Sequence, residues 1–304
     1  MNQELWEQLC EIVGSDHTLT DEPMKNHTTF RIGGPADYFV KPHSKAEIAA
    51  VLKACRNANE PYFILGNGSN LLVGDNGYRG LVLQIFKNYC DITQEGERLR
   101  IKSGALLSKA AKKALEFGLT GLEFASGIPG TMGGAIYMNA GAYGSEIRDI
   151  LTEATVLTED LEIRTIPAAE LELGYRTSNV AKNGWIVLEA VLTLKKGSRT
   201  EIQARMDELK NRRITKQPLE YPSAGSTFKR PEGYFAGKLI MDSGLAGYTV
   251  GGAQVSEKHC GFVINTGNAT AKDVTDLMKA VTDTVYEKFQ VRLEPEVRLL
   301  GEFL

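Results

Sequence analysis

The chain has 304 residues, of which 42% are hydrophobic and 24% charged, and its formal net charge is −3. These values are typical of a globular protein with about two domains, and the mixed charge excludes an extended basic surface for nucleic acid. No apolar run approaches the ~20 residues of a membrane span. The N-terminal sequence MNQELWEQLCEIVG also lacks a signal peptide's basic start and apolar core, so we predict a soluble, cytoplasmic protein without membrane partners.

Cysteine and histidine spacing argues against a disulfide or metal framework. Cys10, Cys55, Cys90 and Cys260 are widely separated and form no CxxC pair. We therefore predict four reduced, buried thiols. The four histidines show no metal-ligand spacing, and no metal site is expected.

The first third of the chain alternates between helix and strand patterns. An N-terminal amphipathic helix is followed by a strand in ADYFVKP, a helix in SKAEIAAVLKACRNAN and a strand in PYFIL, which together predict a βαβ unit. The loop GNGSN interrupts this pattern. Strands in GLVLQIF and RLRIKSG come next, and then a helix in ALLSKAAKKALEFG with Gly118 as its C-cap candidate.

The rest of the chain predicts a β-rich middle and a mixed C-terminal region. EATVLT, LEIRTIP and WIVLEAVLTLKKG resemble paired strands, and TEIQARMDELKNRRITK predicts a charged connecting helix. Its basic residues are too few for a nucleic-acid surface. A short helix in AGKLIMDSG, a strand in CGFVIN, a long helix in ATAKDVTDLMKAVTDTVYEKFQ and a closing strand segment in VRLEPEVRLLG follow. We predict three regions, 1–65, 66–200 and 201–304.

Two uncharged glycine-rich segments suggest a ligand held by backbone amides. GNGSN, residues 66–70, directly follows a predicted strand, and GIPGTMGGAIYMNAGAYG, residues 127–144, has six glycines. Glycine permits positive φ and close approach to the main chain, which suits binding of a phosphate by N–H groups. Neither segment matches GxxxxGK[ST] or a helix-opening GxGxxG. Together they favour a dinucleotide, although ordinary tight turns are the alternative.

Six ordered motifs carry a family resemblance. FRIGGPADYFV, ILGNGSNLLV, GIPGTMGGAIYMNAGAYG, YRTS, PSAGSTFKRP and EPEVRLLG occur in the order and spacing of the UDP-N-acetylenolpyruvoylglucosamine reductase family, and they cover nearly the whole chain. The resemblance implies an α+β fold. Its FAD-binding domain would be in two parts, of the vanillyl-alcohol oxidase type, comprising regions 1–65 and 66–200. Region 201–304 would be a smaller α/β substrate-binding domain.

The resemblance also implies the ligands and the reaction. The cofactor is FAD, and the substrates are NADPH and UDP-N-acetylglucosamine enolpyruvate, whose reduction yields UDP-N-acetylmuramate for peptidoglycan. No obligate protein partner is implied. Cofactor-binding positions carried over from the motifs are Gly66, Asn67, Gly68, Ser69, Asn70, Gly127, Ile128, Pro129, Gly130, Thr131, Gly133, Gly134, Asn139 and Gly141.

Three catalytic residues follow from the same motifs. Arg176 matches an arginine near the substrate carboxylate, and Ser226 matches the family's proton donor. Glu296 matches a glutamate beside the developing enolate; spacing alone does not separate it from Glu294, two residues earlier on a strand. Reading Ser226 as a hydrolase nucleophile is disfavoured because the G-x-S-x-G elbow is absent.

The substrate-binding residues implied by the resemblance are Lys216, near the diphosphate, and more weakly Arg230 and His259. Some members of the family have an insertion with a tyrosine lid between the serine and glutamate motifs. The short interval between Ser226 and Glu296 here resembles that of the subclass without this insertion. Tyr175 and Tyr248 are the candidates for covering the substrate, but we expect each to pack against the core rather than to act as a lid. Two alternatives remain, an FAD-dependent oxidase or dehydrogenase of the same fold and a non-enzymatic flavin- or nucleotide-binding module.

Overall fold

The structure is a computed structural model and describes residues 2–303. Within this range eight helices have α-helical geometry: α1 (Gln3–Val13), α2 (Lys45–Asn57), α3 (Leu107–Glu116), α4 (Met132–Tyr137), α5 (Asn179–Lys182), α6 (Arg199–Lys216), α7 (Ala236–Asp242) and α8 (Ala271–Phe289). None of these helices combines the length and apolar character required to cross a membrane.

Nineteen strands, most of them short, accompany the helices over residues 2–303. They are β1 (Thr18–Pro23), β2 (Pro35–Val40), β3 (Tyr62–Leu65), β4 (Leu71–Val73), β5 (Tyr78–Gln84), β6 (Ile92–Glu95), β7 (Arg98–Lys102), β8 (Leu119–Thr120), β9 (Gly141–Ala142), β10 (Ser145–Glu146), β11 (Leu151–Leu157), β12 (Ile163–Pro167), β13 (Ile186–Thr193), β14 (Lys195–Lys196), β15 (Ser223–Ser226), β16 (Thr249–Val250), β17 (Ala253–Val255), β18 (Phe262–Asn265) and β19 (Arg298–Leu300).

The chain forms two compact units, and both are discontinuous in sequence. Unit 1 comprises residues 1–19, 38–67 and 80–213, and unit 2 comprises residues 20–37, 68–79 and 214–304. The continuous regions expected from the sequence, with limits at 65/66 and 200/201, stay a prediction.

Unit 1 contains an antiparallel sheet of five strands, in the order β12–β11–β13–β7–β6. The strands β3 and β5 pair in parallel, from Tyr62 opposite Leu81 to Leu65 opposite Gln84. The apolar positions of α2 recur at helical spacing and are buried: Ile48, Val51, Leu52 and Cys55. Two hydrophobic clusters fill the interior of this unit.

Unit 2 is built on the antiparallel sheet β15–β18–β17–β16 and on α8. Thr270 and Asp273 form a capping box at the start of α8. The buried face of α8 includes Val274, Leu277, Val281 and Val285. A parallel pair between β19 and β4, with Arg298 opposite Leu71, brings the C-terminal motif alongside the residues that follow GNGSN.

The long elements predicted from periodicity are confirmed, and so is the mixed helix and strand class. Gly118 follows α3 with φ of +67°, as a C-cap glycine does. The glycine-rich segment, for which the sequence suggested a ligand-binding loop or tight turns, also contains the short helix α4. All four cysteines are free, but Cys10 and Cys90 are only partly buried, which corrects the prediction of full burial.

Candidate functional site

The loop after β3 presents unused backbone donors. Over residues 2–303, the N–H groups of Gly66, Asn67, Gly68 and Ser69 have no protein acceptor. In unit 1, a Cβ on Gly66 would lie 2.5 Å from Thr131 Oγ1, so only glycine fits there. In unit 1, the consecutive free amides of Gly66 and Asn67 at the carboxyl end of a parallel strand form donors suited to an anion.

In unit 1 this loop is bonded to the second glycine-rich segment. The side-chain amide of Asn67 donates to the carbonyl of Pro129 at 2.5 Å. Thr131 caps α4, and its hydroxyl accepts the N–H of Gly134 at 3.4 Å. The two glycine-rich segments therefore contact each other, as predicted, through Asn67 and Pro129.

Several glycines of the second segment are needed by the protein's own packing. A Cβ on Gly133 would lie 3.0 Å from Ser103 Cβ, and one on Gly141 would lie 2.8 Å from Glu146 Cβ. The N–H of Gly133 already donates to Ser103 at 2.8 Å. Close packing within unit 1 therefore accounts for a glycine at these two positions.

Other groups of the segment remain available. The N–H groups of Gly127, Gly130 and Thr131 have no acceptor among residues 2–303. The hydroxyl of Ser103 is buried and also lacks a partner in that range. Buried polar groups are normally satisfied, so the unpaired groups of the buried residues Ser103 and Thr131 indicate a missing ligand. Neutral amides and a hydroxyl fit the pyrophosphate and polar ring edge of a flavin dinucleotide.

In unit 2 the GNGSN loop has structural constraints of its own. Gly68 has φ of +60°, and a Cβ there would lie 2.2 Å from the carbonyl oxygen of His27. The side-chain amide of Asn70 donates to the carbonyl of Glu296 at 3.1 Å, and Asn70 accepts the N–H of Arg298 at 3.1 Å. The side chain of Asn70 therefore positions the EPEVR motif, a role that the sequence did not indicate.

Arg176 lies on a two-residue turn with a strained backbone. Gly174 and Thr177 form an antiparallel bridge around Tyr175 and Arg176. Arg176 has φ of +55°, and its guanidinium stacks 5.1 Å from the Tyr175 ring centre. Non-glycine residues rarely adopt this conformation and often do so at functional sites.

Asn139 fixes that turn from within the glycine-rich segment. It is fully buried. Its amide nitrogen donates to Gly174 O at 3.1 Å and to Glu146 at 2.9 Å, and its oxygen accepts the N–H of Arg148 at 3.0 Å. Because the protein uses these groups, the structure favours a positioning role for Asn139 over direct contact with a cofactor.

In unit 2 the backbone joins the serine and glutamate motifs. Ser226 is exposed at the end of β15, where it pairs with Phe262. The next residue, Thr227, accepts the N–H of Glu296 at 2.8 Å, and Phe228 forms an antiparallel bridge with Pro295. The two motifs are far apart in sequence but adjacent here.

The structure also distinguishes the two glutamates. Glu294 pairs with Lys229 at 3.1 Å, and its side chain is 73% exposed. Glu296 is partly buried. An exposed carboxylate engaged by a lysine is a poor candidate for an active site, so the geometry favours Glu296.

The predicted substrate-binding residues lie in unit 2. Lys216 is exposed at the end of α6 and interacts electrostatically with His259. Burial, and then the charge of Lys216, lower the pKa of His259, whose Nδ1 accepts the N–H of Gly261 at 3.1 Å. Arg230 stacks 4.0 Å from the centre of the Phe235 ring. Lys216 and His259 are thus brought together, and Arg230 is held by a separate aromatic contact.

The two lid candidates lie at the surface, and the groove found in unit 1 is not part of the predicted site. Tyr175 is 54% exposed and Tyr248 43% exposed, so the expectation that they pack against the core is wrong. An open groove of about 980 Å³ in unit 1 contains none of the predicted site residues; its lining includes Arg56, Tyr62, Arg164 and Trp185.

Comparisons with known proteins agree with this arrangement. Residues 36–166 match the family described as "FAD binding domain", and residues 217–300 match "UDP-N-acetylenolpyruvoylglucosamine reductase, C-terminal domain". Unit 1 holds most of the first range, so the free amides described above belong to an FAD-binding domain.

Relatives with similar names cover the full length of the chain. The UDP-N-acetylenolpyruvoylglucosamine reductase of Agathobacter rectalis is 53% identical over 100% of both chains, and that of Clostridium perfringens is 53% identical over 99% of both. The solved structure of the Thermus caldophilus reductase is 36% identical, with a TM-score of 0.80, and the match covers 93% of this chain and 98% of that one. The chain therefore belongs to the UDP-N-acetylenolpyruvoylglucosamine reductase family of oxidoreductases.

Proposed function

We propose that the protein reduces UDP-N-acetylglucosamine enolpyruvate to UDP-N-acetylmuramate with NADPH, in cytoplasmic synthesis of peptidoglycan precursors. The names of its full-length relatives support the substrate. The observation that carries the proposal is the hydrogen bond from Glu296 N–H to the Thr227 carbonyl, which joins the PSAGSTF and EPEVR motifs. An enzyme that only oxidises alcohols would not need this pair.

The residues present fit FAD. When bound, FAD would supply the hydride-transfer chemistry that links NADPH to the vinyl carbon of the enolpyruvyl group. The unpaired amides of Gly66, Asn67, Gly127, Gly130 and Thr131 would bind its polar groups. The other motif positions, Gly68, Ser69, Asn70, Ile128, Pro129, Gly133, Gly134, Asn139 and Gly141, would shape the same loops.

Arg176 and Glu296 are proposed to act on the substrate's charge. The planar guanidinium of Arg176 can bind both carboxylate oxygens and stabilise negative charge as it develops there. Its turn is already fixed by Asn139 and by the bridge between Gly174 and Thr177, which reduces the entropy lost on binding. Glu296 is proposed to orient the enolate.

Ser226 is proposed as the proton donor. A serine hydroxyl is a very weak acid, but addition of hydride to an enolpyruvyl ether leaves a strongly basic enolate carbon, which drives the transfer. Ser226 is exposed, and the pairing with Phe262 and the bonds to the following Thr227 fix its backbone. The backbone of Ser226 is therefore held in place, while its hydroxyl remains free to rotate toward the substrate.

Lys216, Arg230 and His259 are proposed to bind the uridine diphosphate. Lys216 carries a compact charge suited to a phosphate. Because the Nδ1 of His259 accepts a backbone N–H, its ring proton lies on Nε2 when the ring is neutral, and that N–H is left to donate.

The experiment that tests the proposal is product analysis. Purified protein should contain FAD, oxidise NADPH only when the enolpyruvyl substrate is present, and form a product heavier by two hydrogen atoms. In D2O, deuterium should appear at the carbon next to the carboxylate. Flavin-containing protein that is inert toward this substrate but is reduced by an alcohol or hydroxy acid would contradict the proposal.

A further inference from the structure

Arg213, near the end of α6, is a cation with no ion-pair or hydrogen-bond partner in the described part of the chain. The side chain is partly buried. Among residues 2–303 it makes no ion pair and no hydrogen bond. Loss of hydration lowers the pKa of Arg213, and only the nearby Tyr143 opposes this effect. A guanidinium withdrawn from water without a carboxylate is unfavourable unless an anion completes the site.

The surroundings of Arg213 are the two ends of the glycine-rich segment. A Cβ on Gly127 would lie 3.0 Å from Arg213 Cδ and 3.1 Å from its Nη1, so the guanidinium passes close against the main chain of this glycine. At the other end, the hydroxyl of Tyr143 donates to the carbonyl of Leu209, one helical turn before Arg213. The N–H of Gly127 itself has no acceptor in the described range.

Other arginines of α6 do not share this lack of a partner. Arg212 is exposed and paired with Glu208 at 2.5 Å, and Arg205 pairs with the same glutamate. Arg213 also lies between the two matched family ranges, 36–166 and 217–300, so neither range includes it. The sequence alone grouped it with the other basic residues of the connecting helix.

We propose that Arg213 binds the pyrophosphate of FAD at the glycine-rich segment of unit 1. The pyrophosphate is the one charged group of FAD near neutral pH, and a guanidinium can bond two of its oxygens. The unpaired N–H of Gly127 adds a second donor at the same place. This inference rests on FAD binding by the proposed enzyme.

The test compares Arg213→Gln with Arg212→Gln. FAD affinity is measured on apoprotein by quenching of flavin fluorescence. The Arg213 variant should bind FAD about 10- to 100-fold more weakly, the effect of losing a charge-assisted contact, and with a smaller salt dependence. The Arg212 variant should match wild type. Arg213→Lys keeps the charge but loses the planar, two-pronged guanidinium, so its FAD affinity should lie between those of wild type and Arg213→Gln.

A second readout separates binding from folding. Without FAD, Arg213→Gln should melt at or above the wild-type temperature, because it removes an unpaired, poorly hydrated charge; with FAD, it should gain less than wild type. Unchanged FAD affinity in this variant would overturn the inference, as would weakened UDP binding in FAD-saturated protein with FAD affinity intact. A wild-type protein that binds no FAD would instead contradict the proposed function.

Discussion

The amide of Glu296 donates a 2.8 Å hydrogen bond to the carbonyl of Thr227. This bond places the proposed glutamate beside the residue that follows the proposed proton donor, Ser226. A second bond, from Lys229 N–H to the Glu294 carbonyl at 2.8 Å, continues the pairing. The two catalytic motifs of unit 2 therefore form one backbone structure, and a change in one is expected to disturb the other.

Glu296→Gln and Glu294→Gln form a matched pair that tests the assignment of the glutamate. We expect the Glu296 variant to lose about 10²–10³-fold in substrate reduction, because it removes the carboxyl group that is proposed to orient the enolate. The Glu294 variant should stay within a few-fold of wild type, since it loses only an exposed ion pair with Lys229. Steady-state rates at saturating NADPH measure both. A larger loss in the Glu294 variant would reverse the assignment.

Arg176→Gly should separate stability from function. Arg176 has φ of +55°, which costs a non-glycine residue about 1–2 kcal/mol, whereas glycine adopts it freely. Its stacking on Tyr175 is exposed and contributes only about 0.5–1 kcal/mol. The variant should therefore unfold at the same or slightly higher urea concentration while losing substrate reduction. A clear destabilisation would show that the turn depends on the arginine.

Asn139→Ala should destabilise unit 1. The substitution leaves the N–H of Arg148 without its partner, at about 1–3 kcal/mol for an unsatisfied group, and removes one of the two hydrogen bonds that the carbonyl of Gly174 accepts. Alanine also tolerates the φ of +43° at this position less well than asparagine. We expect a loss of about 2–4 kcal/mol in urea unfolding. Asn179→Ala, which removes one exposed bond to Glu170, is the control and should cost under about 1 kcal/mol.

His259 should make stability fall on the acid side of neutrality. Burial and Lys216 lower its pKa in the folded protein, so between the folded and unfolded values, below about 6.5, the unfolded chain binds more protons. Stability then decreases as the pH falls through this window, and His259→Gln should show a smaller decrease. NMR titration of the imidazole provides the direct check. A midpoint above 6.5 would contradict the expectation.

Strong local signals made much of the fold predictable. The helices α2 and α8 have apolar residues at helical spacing and side-chain caps, Ser44 and Thr270, that the sequence displays. The short helix α4 has a side-chain cap, Thr131, but it is too short for a periodic pattern and its glycines disfavour helix. It forms where Met132 and Gly133 donate to the carbonyls of Ala105 and Ser103. Such long-range bonds are not visible in the sequence.

The site was predictable only through its motifs. Spacing could not separate Glu294 from Glu296; the distinction requires the ion pair with Lys229. The glycine pattern suggested a ligand, but Gly68 and Gly133 are also required by contacts with His27 and Ser103. Valine at either position would therefore strain the fold itself, so loss of FAD in those variants would not identify a ligand contact.

The central claim is that Ser226 donates the proton after hydride transfer to the substrate. Ser226→Ala should therefore keep FAD, and NADPH should reduce the flavin at a nearly normal rate. Reoxidation by the enolpyruvyl substrate should slow by at least the upper end of the ~10²–10⁴-fold typical of general acid catalysis. Neither neighbour of Ser226 offers a replacement, because Gly225 has no side chain and Thr227 is buried.

The decisive measurement is anaerobic stopped-flow absorbance of the flavin in each half-reaction, on wild type and Ser226→Ala. The account predicts equal rates of reduction by NADPH and a strong loss of reoxidation by UDP-N-acetylglucosamine enolpyruvate in the variant. Ser223→Ala, at the other end of β15, is the matched control and should be reoxidised at close to the wild-type rate. Reoxidation of Ser226→Ala as fast as wild type would contradict the account and assign the proton to another group.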